Sequence, residues 1–182
     1  MGRQSPPLVP SDEATGEELA LAHEQGQTMR KALKHMLENI ADDGREKQAG
    51  DYLVAYAVEK AEGMYIRNKN TLSWHEPKET NLHLEVSVRD AADGRFIPGL
   101  QVWATLIDDQ GRTVGSNIQP FIWHPWLYHY GRNWEVPKSG EYTLQLHIEA
   151  PNFPRHDKVN GKRFDEDVKV EFNHVKIEIG QK

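Results

Sequence analysis

The sequence predicts an all-β protein: an immunoglobulin-like antiparallel β-sandwich with an N-terminal helical extension. Three observations predict it. From Gly50 onward apolar residues alternate with a period of two, as strands do when they bury one face. Turn clusters such as Ala61-Glu62-Gly63, Asp93-Gly94 and Asp108-Asp109-Gln110-Gly111 punctuate this region, dividing it into about seven short strands, the count expected of such a sandwich. No helical pattern intervenes between them, so the strands pair antiparallel, with a small barrel as the alternative closure.

Ahead of Gly50 the pattern is helical. Residues 1–14 are rich in Pro, Ser and acidic side chains, the composition of a flexible lead-in. Thr15-x-x-Glu18 has the form of a capping box, in which hydroxyl and carboxylate each satisfy an orphan amide of the first turn. Leu19, Ala22, Gly26, Met29, Leu33, Met36 and Ile40 then recur at alternating spacings of three and four. Such a stripe must lie against the following domain or a second copy of the chain. Asp42-Asp43-Gly44 is expected to end the helix, with Gly44 in the left-handed position. The division is therefore residues 1–48, lead-in and long amphipathic helix, and residues 49–182, the sandwich. Met29, His35 and Met36, at helical spacing, read as packing rather than as a soft-metal box.

Within the sandwich, residues 51–58 and 64–67 read as strands. Leu82, Leu84, Val86 and Val88 alternate with His83, Glu85, Ser87 and Arg89, a half-buried strand whose polar face points away from the core. Val102, Ala104 and Leu106 have Trp103, Thr105 and Ile107 behind them, so this strand is predicted to be covered on both faces. A further strand leads into residues 119–131. Residues 140–148 alternate cleanly, with Tyr142 placed as a tyrosine-corner residue. The last strand, residues 168–179, shifts phase between Phe172 and Val175, which predicts a bulge near Asn173-His174.

Composition narrows the function classes. A net charge of −6 without any Lys/Arg-rich run is the wrong electrostatics for nucleic acid. There are no cysteines, so a metal must be held by His, carboxylate or Met. No apolar run approaches the roughly 20 residues that span a bilayer, and direct membrane insertion is not expected. Met1-Gly2-Arg3-Gln4-Ser5-Pro6-Pro7 leads into no apolar h-region, so no secretory signal is expected. That fits a cytoplasmic protein or a trimmed, mature one. Nucleophile elbows, phosphate-cradling loops and zinc-protease helices find no match.

The candidate chemistry gathers around residues 119–131, where two histidines and five aromatics fall within thirteen residues. Taken alone, these histidines read as hydrogen-bonded packing. His83-x-Glu85 sets an imidazole and a carboxylate on one face of a strand, and a metal site there needs ligands from other segments. His129 and His156 are the candidates, with His124 a third. His23, His35, His75, His147 and His174 read as structural or surface residues.

Residues 81–179 also resemble the periplasmic, copper-binding proteins associated with bacterial ferrous-iron uptake, which are dimeric immunoglobulin-like sandwiches. The resemblance rests on His83-Leu84-Glu85, Pro98-Gly99-Leu100, Gln119-Pro120-Phe121, His129-Tyr130-Gly131, Glu141-Tyr142-Thr143-Leu144, Arg155-His156 and Gly161-Lys162-Arg163-Phe164, in that order. It implies a copper site built from His83, His129 and His156 with Glu85 nearby and a methionine at position 121. Phe121 stands there instead. Three imidazoles and a carboxylate suit Cu(II) or Zn(II) better than Cu(I), and His124 is a replacement donor if its loop folds inward. Trp103, Ile107, Trp123, Trp126 and Tyr128 are expected to cover the site. By this resemblance the protein is a copper-binding, alternatively zinc-binding, accessory of iron uptake: a periplasmic homodimer beside a membrane iron permease. A copper-dependent ferrous oxidase at the same site, and a non-metal binding module using the aromatic loop, are the competing readings.

Overall fold

The computed structural model describes residues 6–182. Thr15 caps helix α1 (Gly16–Asn39), accepting from the Glu18 amide while Glu18 accepts from the Thr15 amide. Eleven strands follow: β1 (Asp43–Ala49), β2 (Tyr52–Glu59), β3 (Met64–Asn68), β4 (Thr71–His75), β5 (Leu82–Asp90), β6 (Val102–Ile107), β7 (Thr113–Ile118), β8 (Phe121–Ile122), β9 (His129–Trp134), β10 (Gly140–Ile148) and β11 (Val168–Ile177). All pairings between them are antiparallel, in a five-stranded sheet β1-β2-β5-β9-β8, a four-stranded sheet β11-β10-β6-β7 and a separate β3-β4 hairpin. The all-β sandwich with a helical extension is thus the observed fold.

The core lies between the two large sheets, where Val54, Val58, Leu82, Leu84, Val86 and Val88 meet Val102, Ala104, Leu106, Leu144, Leu146 and Phe172. The phase read from the sequence holds: the even-numbered apolar residues of β5 face this core. Tyr142 closes a tyrosine corner by donating to the Lys138 carbonyl at 2.7 Å. The bulge also lies where the phase shift put it, since Tyr142 pairs with Val175 and Leu144 with Phe172 while His174 takes a positive φ of 57°.

Several expectations change. Helix α1 stops at Ile40, whose amide bonds to Met36, and Gly44 is not its cap but a residue of β1. A Cβ on Gly44 would stand 2.5 Å from the Leu37 side chain and 2.8 Å from the Tyr56 carbonyl, so glycine here lets the strand run under the helix end. Strand β1 itself carries no apolar alternation; Arg45 and Lys47, on its core side beside Tyr56 and Val54, close the edge of the sandwich by reaching across to carbonyls of Asn173, His174 and Glu171 on β11. Residues 6–14, expected to be a flexible lead-in, are hydrogen-bonded to the loop after β10 through Val9–Asn160 and Ser11–Asp157; residues 1–5 of that lead-in lie outside the described residues.

Strand β6 is not covered on both faces. Trp103 is exposed beside an open concavity of about 700 Å³ on the outer face of the four-stranded sheet. That sheet is the one remote from the five-stranded sheet's outer face, so Trp103 and Ile107 do not cover His83 and Glu85.

Strand β5 departs in the opposite sense: every residue from Leu82 to Asp90 is buried. Helix α1 covers part of its outer side by laying Leu33 and Met36 on Ala55, Ala57 and Leu127. Small alanines on β2 permit that approach. Arg89, 1% exposed, is paired with Glu46. Gly26 brings α1 against the turn after β5, where a Cβ would fall 1.8 Å from the Asp93 carbonyl oxygen. In an exposed helix Gly→Ala stabilises by about 1 kcal/mol. Here Gly26→Ala is expected to destabilise by roughly 1–3 kcal/mol, because the helix must lift off the turn; urea unfolding of the two proteins measures the sign.

Candidate metal centre

Antiparallel registry brings the ligand-bearing residues together. On β5, His83 pairs with Asn133 of β9 and Glu85 with Gly131, so the face carrying His83 and Glu85 continues through His129, Gly131 and Asn133. His129 begins β9 opposite Ile122. A side chain at position 131 would put its Cβ 3.2 Å from the His129 ring and 2.8 Å from the Leu84 carbonyl. Glycine therefore keeps open the space into which the Glu85 carboxylate projects. Tyr130, alternating to the core side, accepts from the Leu100 amide and donates to the Ile97 carbonyl. That bond explains why Pro98-Gly99-Leu100 and His129-Tyr130-Gly131 occur together.

His83, Glu85 and His129 offer ligand atoms that all lie within 4.8 Å of one another. Glu85 Oε1 stands 3.5 Å from His129 Nε2 and 3.8 Å from His83 Nε2. Both imidazoles are oriented through their other nitrogen: His83 Nδ1 lies 3.0 Å from Asn133 Oδ1, and His129 Nδ1 2.9 Å from the Leu127 carbonyl oxygen. Each partner is an oxygen acceptor, so each Nδ1 carries the proton and each Nε2 presents a lone pair. Metal-binding histidines are commonly held by such a bond from the ring nitrogen that does not ligate.

Burial sets the charge state. It pushes the Glu85 carboxyl up to about 8, with the Glu62 charge adding to the effect. It pushes His83 down to about 4, against the Asn133 bond, and His129 down to about 4, against the Leu127 bond. At neutral pH the metal-free trio is uncharged, so its close contacts are not ion pairs. His129 Nε2 is buried with no hydrogen-bond partner, an expensive condition for a polar atom in the interior.

The residues fit a metal ion. Ligand atoms at about 2.0–2.1 Å from a tetrahedral cation stand roughly 3.3 Å apart, a few tenths of an ångström closer than the two separations between Glu85 and the histidines. Two neutral imidazoles and a carboxylate suit copper or zinc.

Above the trio is a cavity of about 540 Å³ walled by the β3-β4 hairpin and by the loop through Trp123, His124 and Pro125. His124 does line it, with its ring 5.8 Å from that of His129 and a buried Nδ1 lacking a partner. It lies outside the tight cluster. Phe121 is half exposed and packs tilted against Phe96 and edge-on against Tyr128 and Tyr130 at the rim. His156 is not brought to the cluster within one chain: its side chain is 91% exposed and its Nδ1 lies 2.9 Å from Glu13 Oε2. The motifs around it shape the long loop between β10 and β11. Arg155 donates to the Phe153 and Phe164 carbonyls, and Arg163 pairs with buried Asp90.

Three residues at or beside the cavity escaped the sequence reading. Asn133 shares the His129/Gly131 face by simple alternation and was legible on that ground. Met64 and Glu62 were not, because nothing in a twofold pattern says that a hairpin folds over the sheet's outer face.

Residues 36–176 match the family described as Fe2+ transport protein. The backbone is similar to that of FetP from uropathogenic E. coli, with 22% identity, 74% of this chain and 95% of that chain covered, and a TM-score of 0.56. It is also similar to the copper-reconstituted P19 protein of Campylobacter jejuni, with 19% identity, 76% and 96% covered, and a TM-score of 0.63. No curated protein matches the chain in sequence.

The charge states set a pH dependence for the metal-free protein. Folded Glu85 keeps a proton that the unfolded chain releases above its ordinary value of 4.5, so its contribution to stability declines as pH rises through about 8. The two histidines act oppositely, since the unfolded chain binds protons below 6.5 that the folded one refuses until about 4. Between pH 6.5 and 8 only the Glu85 effect operates among these three. With chelator present, the wild-type Tm is expected to fall relative to that of Glu85→Gln across this range. Parallel profiles for the two proteins would mean that Glu85 is already ionised in the fold.

Proposed function

The chain belongs to the Fe2+ transport protein family, and we propose that it is an extracytoplasmic metal-binding accessory of ferrous-iron uptake, holding copper between His83, His129 and Glu85. The observation that carries this reading is the partnerless, buried Nε2 of His129, aimed with the His83 nitrogen at one carboxyl group. An apolar or fully hydrogen-bonded trio would serve the fold better, so the arrangement is explained by a ligand that supplies the missing contacts.

His83 and His129 would provide neutral nitrogens and Glu85 a carboxylate once deprotonated. Copper, when bound, supplies a redox-active cation. Copper is favoured over zinc because solved relatives of this fold are described as copper-reconstituted and copper-bound; the donor set accommodates either. A homodimer is part of the proposal. His156 is exposed and paired with Glu13 of the lead-in, a contact light enough to leave it available to complete a site in a second copy. The exposed aromatics Trp123, which lines the cavity, and Trp126 and Tyr128 of the same loop suit docking against a membrane permease that receives the metal.

Two measurements test the assignment. Metal analysis and calorimetry should find about one copper site per chain, weakened in His83→Ala by at least about tenfold, the smallest loss expected when even an outer-shell partner of a metal is removed. Unchanged affinity would sink the proposal. Calorimetry at pH 7 in buffers of differing ionisation enthalpy should also show about one proton released per copper bound, lost in Glu85→Gln, since the carboxyl must ionise to ligate.

A further inference from the structure

The four methionines of the chain are Met1, Met29, Met36 and Met64. Met36 is buried beneath α1 among Leu33, Ala55, Ala57 and Leu127, with Met29 packed against the same cluster. Met64 is placed differently. It opens β3 and lines the cavity that holds His83, Glu85, His124 and His129. Tyr65 to Asn68, the rest of its strand, are exposed, whereas Met64 is half buried.

The backbone delivering Met64 is fixed to the trio. Asn133, whose Oδ1 orients His83, also donates from Nδ2 to the Glu62 carbonyl at 2.7 Å and accepts from the Glu62 amide at 3.3 Å. Gly63 follows, and a Cβ there would fall 2.2 Å from the Trp74 ring, so glycine lets the indole of β4 seat directly on the chain beside Met64. Trp74 is held in turn by its Nε1–H donated to Glu76 at 2.6 Å. One asparagine thus positions both a nitrogen ligand and the segment bearing the cavity's sulfur.

We infer that Met64 is a thioether ligand of this centre, making it a copper(I) site with a donor set of two imidazoles, a carboxylate and a sulfur. A thioether is soft, binds Cu(I) well and adds little for Zn(II) or Cu(II). The inference rests on the metal site proposed above and names the oxidation state it selects.

The test compares wild type, Met64→Leu, His83→Ala and His124→Ala. Affinities for Cu(I), against a chromogenic chelator under anaerobic reduction, and for Zn(II) are measured beside X-ray absorption spectra of the Cu(I) forms. The expected result is a sulfur scatterer in wild type that is absent in Met64→Leu, with Cu(I) affinity at least about tenfold lower in that variant and Zn(II) affinity within about twofold. Retained zinc binding also reports that the variant is folded. Absence of sulfur from the wild-type spectrum, unchanged Cu(I) affinity in Met64→Leu, or equal loss of both metals would each overturn the inference. A nitrogen-only spectrum with Cu(I) binding lost in His124→Ala would assign the further donor to His124 instead. If His83→Ala binds both metals as wild type does, the metal site itself fails; if it binds neither while Met64→Leu is normal, only the thioether fails.

Discussion

The structure turns on the burial of a strand face that carries charge. The outer side of β5 presents His83, Glu85, Ser87 and Arg89, and all four are inside the protein. A half-exposed sheet of this kind ordinarily leaves such residues in water. Here α1 covers one end of the face, and the hairpin with the aromatic loop covers the other. At the helix end the cost of desolvation is offset, because Arg89 has Glu46. At the other end it is not: Asn133 and the Leu127 carbonyl satisfy one nitrogen of each histidine, and the remaining donor atoms face each other across Glu85. At the helix end the charge is paired, although Ser87 Oγ and Arg89 Nε have no hydrogen-bond partner there, and at the other end the ligand nitrogens are left facing the carboxyl group.

That division explains what the sequence could and could not reveal. The alternation of Leu82, Leu84, Val86 and Val88 sets the core side of β5, and the same rule puts His83 and Glu85 together on the other. Capping by Thr15 and Glu18, the tyrosine corner at Tyr142 and the bulge at His174 were legible because each is a local conflict between side chain and backbone with one inexpensive solution. The covering layer was not legible. Residues 64–75 read only as a strand and its surroundings, since their exposed Tyr65, Ile66, Leu72 and Trp74 give no hint of which surface the hairpin lies over. The same limit misplaced Trp103: an apolar outer face on β6 looked like a covered one, but no described element packs there.

The resemblance supplied ligands by position, and the structure sorts them by distance. His83, Glu85 and His129 sit on neighbouring strands of one sheet, where registry fixes separation to fractions of an ångström, and they converge. Phe121 and His156 belong to a rim and a long loop. Phe121 packs among aromatics, and His156 is held by the lead-in. His124 and Met64 line the same space from a loop and a hairpin, segments that the sheet does not constrain. A strand-borne base with loop-borne additions lets one scaffold alter its metal preference without disturbing its core.

The β3-β4 hairpin has a consequence beyond covering the cavity. It forms a two-stranded sheet of its own and shares no ladder with either large sheet. Lifting it therefore breaks no inter-strand hydrogen bond of the sandwich, only its own packing and the Asn133 contacts at its base. Opening the hairpin alone costs less free energy than unfolding the whole sandwich. The sheet carries the two imidazoles and the carboxylate of the proposed centre, whereas the hairpin carries both its cover and the Met64 side chain, so one local motion would open the cavity and withdraw the thioether together.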